Sequence, residues 1–287
     1  MAALLMSYDV ERILGVNPPD EFAMKLVGHV FDKDITAAFL ERAYQTYNEL
    51  NAPMTMFVTG MTLEENVDRF DRFLGDSKFD IQQHSYSHVP FKTIVEERDD
   101  EAKTRVFREG VTLERIQEEV AKTNQLFEKH LGIKCIGITC PFAYYRGLSD
   151  RPDVLRLLYK LGIRFLRSYG RNEKDYQPVF LDVQPFLYDL QGLPDMLEIP
   201  ICGWHDVGWK TKYGWNNTDE FIEYLKTQID IIAEKDLTWS FLQHDWSSME
   251  DDREMNITRE VIAYAQEKGV ELLTHSDFYY RMLGGKP

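Results

Sequence analysis

MTMFVTGMTLEENVDRFDRFLGDSKFDIQQHSYSH, residues 54–88, carries the pattern that decides the fold. Met54–Val58 is an apolar run of strand length, and Gly60 ends it. Residues 63–74 follow with helical period, and residues 79–82 return to strand character. Strand, helix and strand in this order predict parallel pairing. The same alternation extends both ways. Upstream, residues 2–8 read as a strand, and residues 35–50 as a helix with Ile35, Phe39, Ala43, Tyr47 and Leu50 on one stripe. Downstream, residues 111–131 predict a long amphipathic helix with Leu113, Ile116, Val120 and Phe127 inward and Gly132 as its stop. Strands are expected at 134–138, 163–166, 196–201, 238–242 and 270–273, and helices at 154–161, 218–234 and 257–268. About seven or eight strands alternating with helices imply an α/β fold, most economically a closed β/α barrel. An open doubly wound sheet is the alternative, but no glycine-rich phosphate loop follows the first strand. Residues 12–34, 89–110 and 202–216 read as long loops, the kind that carry function.

The chain has 287 residues, 44% of them hydrophobic, enough for one large domain. Its formal net charge of −15 argues against nucleic acid or an anionic membrane surface as a partner. The three cysteines, Cys135, Cys140 and Cys202, show no metal or disulfide spacing and read as reduced thiols in or near the core. No secretory leader or membrane span is evident, so a cytoplasmic location is expected.

In a parallel α/β fold the chemistry sits at the C-terminal ends of the strands. Four predicted strands end in residues suited to metal binding or proton transfer. Asp9 and Glu11 follow the first; two residues apart on an extended chain, they share a face, where mutual repulsion calls for a neutralising cation. Taken alone they are equally readable as a solvated acidic strand end. His84 and His88, in HSYSH, follow the third; a spacing of four on a helical turn brings both imidazoles to one metal, although a pair of core-edge histidines would look the same. Thr139 and Pro141 follow the fourth. His244, in FLQHDW, follows the strand at 238–242 and is the natural proton donor, or a histidine hydrogen-bonded at a strand end. Trp204 lies in GWHDVGWKTKYGW, where an aromatic face either stacks on a sugar ring or anchors the loop.

Together these residues resemble the polysaccharide deacetylase family, also called the NodB-homology or carbohydrate esterase family 4 group. SYDVE resembles its first motif in an Asp-x-acid form, and HSYSH its His-Ser/Thr-x-x-His motif. FVTG after the second strand is similar too, and LEIP and FLQHD resemble later strand-end motifs. The resemblance runs through almost the whole chain. It implies a distorted β/α barrel as a single catalytic domain over residues 1–287, with the three long loops as insertions. It implies one divalent metal, zinc in preference to cobalt, nickel or manganese, held by Glu11, His84 and His88. Asp9 matches the catalytic base, His244 the catalytic acid, and Leu242 a residue lining the acyl-methyl pocket. Phe142 would offer a backbone N–H to the oxyanion. One departure stands out: the family's third motif carries an Arg that pairs with the base, and GITCPFAYYRG has Thr139 there. Arg146 is the candidate to reach back. The implied activity is amide hydrolysis, above all N-deacetylation of a sugar or related small amide. A cyclic amide or ureide hydrolase, a silent carbohydrate-binding relative and a barrel of unrelated chemistry are the alternatives.

Overall fold

The first strand, β1 (Ala3–Val10), is buried along its whole length. Its even-numbered residues Leu4, Met6, Tyr8 and Val10 pack outward against helices, while Ala3 and Leu5 pack into a separate inner cluster. Alternation therefore aims Ser7 and Asp9 inward as well. The inner face of this one strand runs from apolar to acidic, and the gradient gives the fold a dry end and a polar end.

The computed structural model describes residues 2–11, 35–97, 105–174, 178–215 and 217–285. The predicted loop at 12–34 lies outside them. After β1 come α1 (Ile35–Glu49), β2 (Met54–Val58), α2 (Gly60–Phe70) and β3 (Phe79–Gln83). A hairpin of β4 (Ile94–Glu97) and β5 (Arg105–Arg108) precedes α3 (Leu113–Leu131), β6 (Gly137–Tyr145), α4 (Pro152–Lys160) and β7 (Phe165–Arg171). The second half holds β8 (Phe186–Tyr188), β9 (Leu193–Glu198), α5 (Asp206–Tyr213), α6 (Thr218–Lys235) and β10 (Thr238–His244). The chain ends with α7 (Asp245–Asp251), α8 (Asn256–Glu267), β11 (Glu271–Leu272) and α9 (His275–Met282).

The main sheet has nine strands in the order β10-β1-β2-β3-β6-β7-β9-β8, with β11 also on β1. Every pair is parallel except β8–β9. Beyond β9 the chain meets β10 in a single parallel bridge, Ile201 to Ser240, which closes a distorted barrel. The inner cluster holds Leu5, Phe57, Phe165, Leu197 and Ile199, and α9 plugs it with Phe278 and Tyr279.

Helix ends follow local chemistry. Thr59 caps α2 by accepting from the Thr62 N–H, Thr112 caps α3 by accepting from Arg115 N–H, and Gly132 ends α3 at φ 68°. Cys135, Cys140 and Cys202 are free and buried. No described helix is long and apolar enough to cross a membrane.

The structure corrects several predicted elements. The strand expected at 134–138 begins at Gly137 and runs to Tyr145, and the strand expected at 163–166 runs from Phe165 to Arg171. The loop expected at 89–110 contains the β4–β5 hairpin, and the one at 202–216 contains α5. The hairpin strands and α5 are short, with too little periodicity to stand out.

Candidate active site

β1 delivers Asp9 at its end, and Glu11 follows one residue beyond the strand. β3 runs into HSYSH. These residues do not form the helical turn that the spacing suggested: Ser85 and His88 both take φ of 59°, bending the chain sharply. Buried Glu119, from α3, holds the bend. Its carboxylate accepts from the backbone N–H groups of Tyr86 (2.9 Å) and Ser87 (2.6 Å) and from the Ser87 hydroxyl (2.6 Å). Arg115, one turn earlier, balances the charge at 2.7 Å.

The bend brings both imidazoles onto one carboxylate. His84 Nε2 and His88 Nε2 each lie 2.9 Å from Glu11 Oε2, and the three ligand atoms fall within 4.8 Å of one another. Tautomer logic decides what this trio suits. His84 Nδ1 is 3.0 Å from the Thr139 carbonyl oxygen, which only accepts, so Nδ1 carries the proton. Burial lowers the pKa of His84, favouring the neutral ring. Its Nε2 then presents a lone pair to a carboxylate oxygen, an arrangement satisfied by a cation between them. Burial works to raise the pKa of Glu11, but the field of His88 and the close approach of both imidazoles outweigh it and hold the carboxyl well below its usual range. Two imidazoles and one carboxylate form a donor set suited to a divalent ion such as zinc. Trp246 Nε1 donates to Glu11 Oε1 at 3.4 Å, covering the trio's other side.

Beside the trio, Asp9 pairs with a residue the sequence did not single out. Arg167, from β7, is fully buried and donates from Nη2 to Asp9 Oδ1. Its Nη1 donates to Ser7 Oγ (2.6 Å) and its Nε to Thr139 Oγ1 (2.8 Å), while its guanidinium carbon lies 4.4 Å over the Phe57 ring. Burial lowers the guanidinium pKa to about 9 against the opposing field of Glu198, which leaves it protonated at neutral pH. Asp9 Oδ2 is 3.6 Å from His84 Nε2.

The opposite wall is built from β10 and α5. His244 Nδ1 lies 2.7 Å from Asp206 Oδ1, and the His244 backbone N–H donates to Asp206 Oδ2 at 2.8 Å. Burial alone would lower the pKa of His244; the charge and hydrogen bond of Asp206, with Glu11 behind them, raise it. Asp206 is held well below the usual carboxylate range because His244 and His205 outweigh its burial. His205, Asp206 and His244 also cluster at ligand distance. Their atoms are already committed, since Asp206 is doubly bound by His244 and His205 Nδ1 accepts from the Gly208 N–H at 3.3 Å.

The structure thus brings Asp9, Glu11, His84, His88 and His244 together at the polar end of the barrel. His244 Nε2 lies 3.9 Å from Glu11 Oε1. Phe142 joins them, its ring 4.8 Å from that of His88. Leu242 is buried on the same face of β10 as His244. Trp204 packs edge-on against Tyr213 with the rings 6.0 Å apart, the contact of a loop anchor. Arg146 is exposed and lies 5.2 Å over the Tyr145 ring; Arg167, not Arg146, pairs with Asp9.

Residues 20–166 match the sequence profile of the family described as polysaccharide deacetylase. The chain belongs to the polysaccharide deacetylase family. Solved structures agree at the level of fold. A protein from Mycobacterium smegmatis described as a candidate polysaccharide deacetylase superposes with a TM-score of 0.67 at 17% identity, over 99% of this chain and 92% of that one. A structure titled Puue allantoinase gives 0.66 at 16% identity over the same shares. A CE4 family pseudoenzyme from Bacillus anthracis gives 0.54 at 12% identity, over 97% of this chain and 66% of that one. No curated protein sequence matches the chain. Within the deacetylase family the pairing of Arg167 with Asp9 explains how Thr139 is accommodated: a small hydroxyl side chain on β6 accepts from the guanidinium that arrives from β7.

Proposed function

We propose that this deacetylase-family chain hydrolyses a C–N amide bond with one divalent metal, zinc, at Glu11, His84 and His88. The substrate is an N-acetylated sugar or a related small amide. One observation carries the reading: a buried Asp and a partly buried His, each fixed by a partner of opposite charge, flank the trio. Bound there, the metal would supply Lewis acidity toward water and the amide carbonyl. Asp9 takes the proton of the attacking water, and Arg167 favours its ionised, accepting form. The backbone N–H of Phe142 is the donor assigned to the developing oxyanion. His244, whose pKa Asp206 raises, delivers a proton to the leaving nitrogen as the C–N bond breaks. The products are a carboxylate and a free amine.

Two observations bear on the rivals. Thr139 in place of the family's Arg by itself favours a silent relative, but Arg167 supplies a positive charge to Asp9. The likeness in fold to an allantoinase supports a cyclic amide or ureide as the second substrate class. The test is amine release from N-acetylated sugars, small acetamides and cyclic ureides by the metal-loaded protein, with Asp9→Asn as control. Turnover that disappears in the variant supports the reading; equal turnover in both contradicts the role of Asp9.

A further inference from the structure

Glu11 lies one residue past the end of β1, where strand pairing no longer fixes its backbone. Its side chain is free to turn about several bonds, so presenting one oxygen to His84 and His88 needs other contacts. Three consecutive residues supply them. β10 ends at His244 and α7 starts at Asp245, with no loop between. His244 Nε2 lies 3.9 Å from Glu11 Oε1. Asp245, fully buried, accepts the Glu11 backbone N–H on Oδ1 at 3.3 Å. Trp246, also buried, donates its indole N–H to Glu11 Oε1 at 3.4 Å.

Asp245 is itself held. Its Oδ2 accepts the hydroxyl of buried Thr36, in the first turn of α1, at 2.6 Å. One carboxylate therefore ties Glu11 to α1 and to the head of α7. Burial raises its pKa to about 6; the Thr36 bond opposes that shift and the nearby charge of Glu11 adds to it. Two carboxylates this close repel, and a cation beside Glu11 relieves the repulsion. Trp246 is fixed by packing, its ring 5.6 Å from that of His244 and 6.2 Å from that of Trp215. The two oxygens of Glu11 are thus treated differently. Oε2 lies 2.9 Å from both His84 Nε2 and His88 Nε2, whereas Oε1 faces the indole N–H and His244.

We propose that Asp245 and Trp246 are positioning residues for the metal centre: Asp245 anchors the main chain of Glu11, and Trp246 occupies Oε1, so that Oε2 alone is offered to an ion with His84 and His88. This rests on the amide-hydrolase reading and adds how its metal site is kept open. A carboxylate that gave both oxygens to the ion would fill a position that water or the substrate carbonyl requires.

The test uses zinc and cobalt with the wild-type protein, Asp245→Asn and Trp246→Phe, each first checked for wild-type circular dichroism without metal. Zinc affinity is measured by competition with a chromophoric chelator, and the visible absorption of the cobalt-loaded protein reports coordination number. Asp245→Asn removes a charge and one acceptor oxygen at nearly constant volume. It should weaken zinc binding about tenfold or more, the usual loss for partners that orient a ligand. Trp246→Phe keeps an aromatic ring and loses the N–H. Oε1 is then released to the ion, so zinc affinity should hold or rise while the cobalt absorption weakens with the higher coordination number. Lost packing alone would instead weaken zinc binding and leave the spectrum of the loaded protein unchanged. Trp246→Phe decides its half of the proposal even where Asp245→Asn fails to fold. An unmoved cobalt spectrum in Trp246→Phe removes Trp246, and unmoved zinc affinity in Asp245→Asn removes Asp245. Both results together overturn the proposal while leaving the metal centre intact, whereas a wild-type protein that binds neither ion overturns the metal centre as well.

Discussion

Two ion pairs flank the trio, and they differ in what they let vary. Asp9 is bound by Arg167, whose side chain is fully buried and charged at neutral pH. His244 is bound by Asp206, which raises its pKa against the effect of burial. The first pair sets a fixed charge inside the barrel, where a proton acceptor must stay ionised. The second sets a titrating group at the wall, where a proton must be given up and regained. On the proposed roles, base and acid are held by the same device, ion pairing, and still differ in their pH responses.

Breaking the first pair at the base should have the largest effect. Asp9→Asn is expected to lower kcat about a thousandfold, within the usual span for general bases, with bound metal retained. Arg167→Met comes next. It leaves Asp9 buried without its partner, so the unfolding free energy in urea should fall by roughly 3–5 kcal/mol and kcat by about a hundredfold. Adding Thr139→Arg to that variant sharpens the comparison: if the charge at Asp9 is what matters, the double variant recovers activity. Asp206→Asn tests the second pair. Asp206 raises the pKa of His244, so its removal lowers that pKa, and the alkaline limb of kcat/KM should move to lower pH while the acid limb stays in place. An unmoved alkaline limb would detach His244 from the proton donor role. Arg146→Ala should change stability and kcat/KM least, within about 0.5 kcal/mol, because the residue is exposed and lies outside both pairs.

Much of one side of the site was legible in the sequence. Met54–Val58 is a strand with the predicted bounds, because five consecutive buried residues bounded by a glycine form a strong local signal. Asp9, Glu11, His84, His88 and His244 all sit at or just past strand ends, where parallel α/β folds gather their chemistry. Arg167 is not legible because the apolar run of its strand ends at Leu166, and its partners Ser7, Asp9 and Thr139 lie far away in sequence. An arginine within the apolar run FLRSYGR was the available clue, since arginine is seldom fully buried unless paired. The role of Asp206 is not legible for a related reason: its loop contains a short helix, α5, which opens at Asp206 and turns the carboxylate toward β10. The bend at HSYSH depends on Glu119 from α3, a tertiary contact that no local spacing reports.

Glu11, His84 and His88 are proposed as a metal centre, and bound metal is the quantity to measure. The protein purified without a polyhistidine tag, beside a His84→Ala, His88→Ala double variant, should be assayed for bound divalent ions. About one ion per chain is expected in the wild type and none in the variant. A wild-type protein that stays free of metal after incubation with zinc or cobalt would contradict the account.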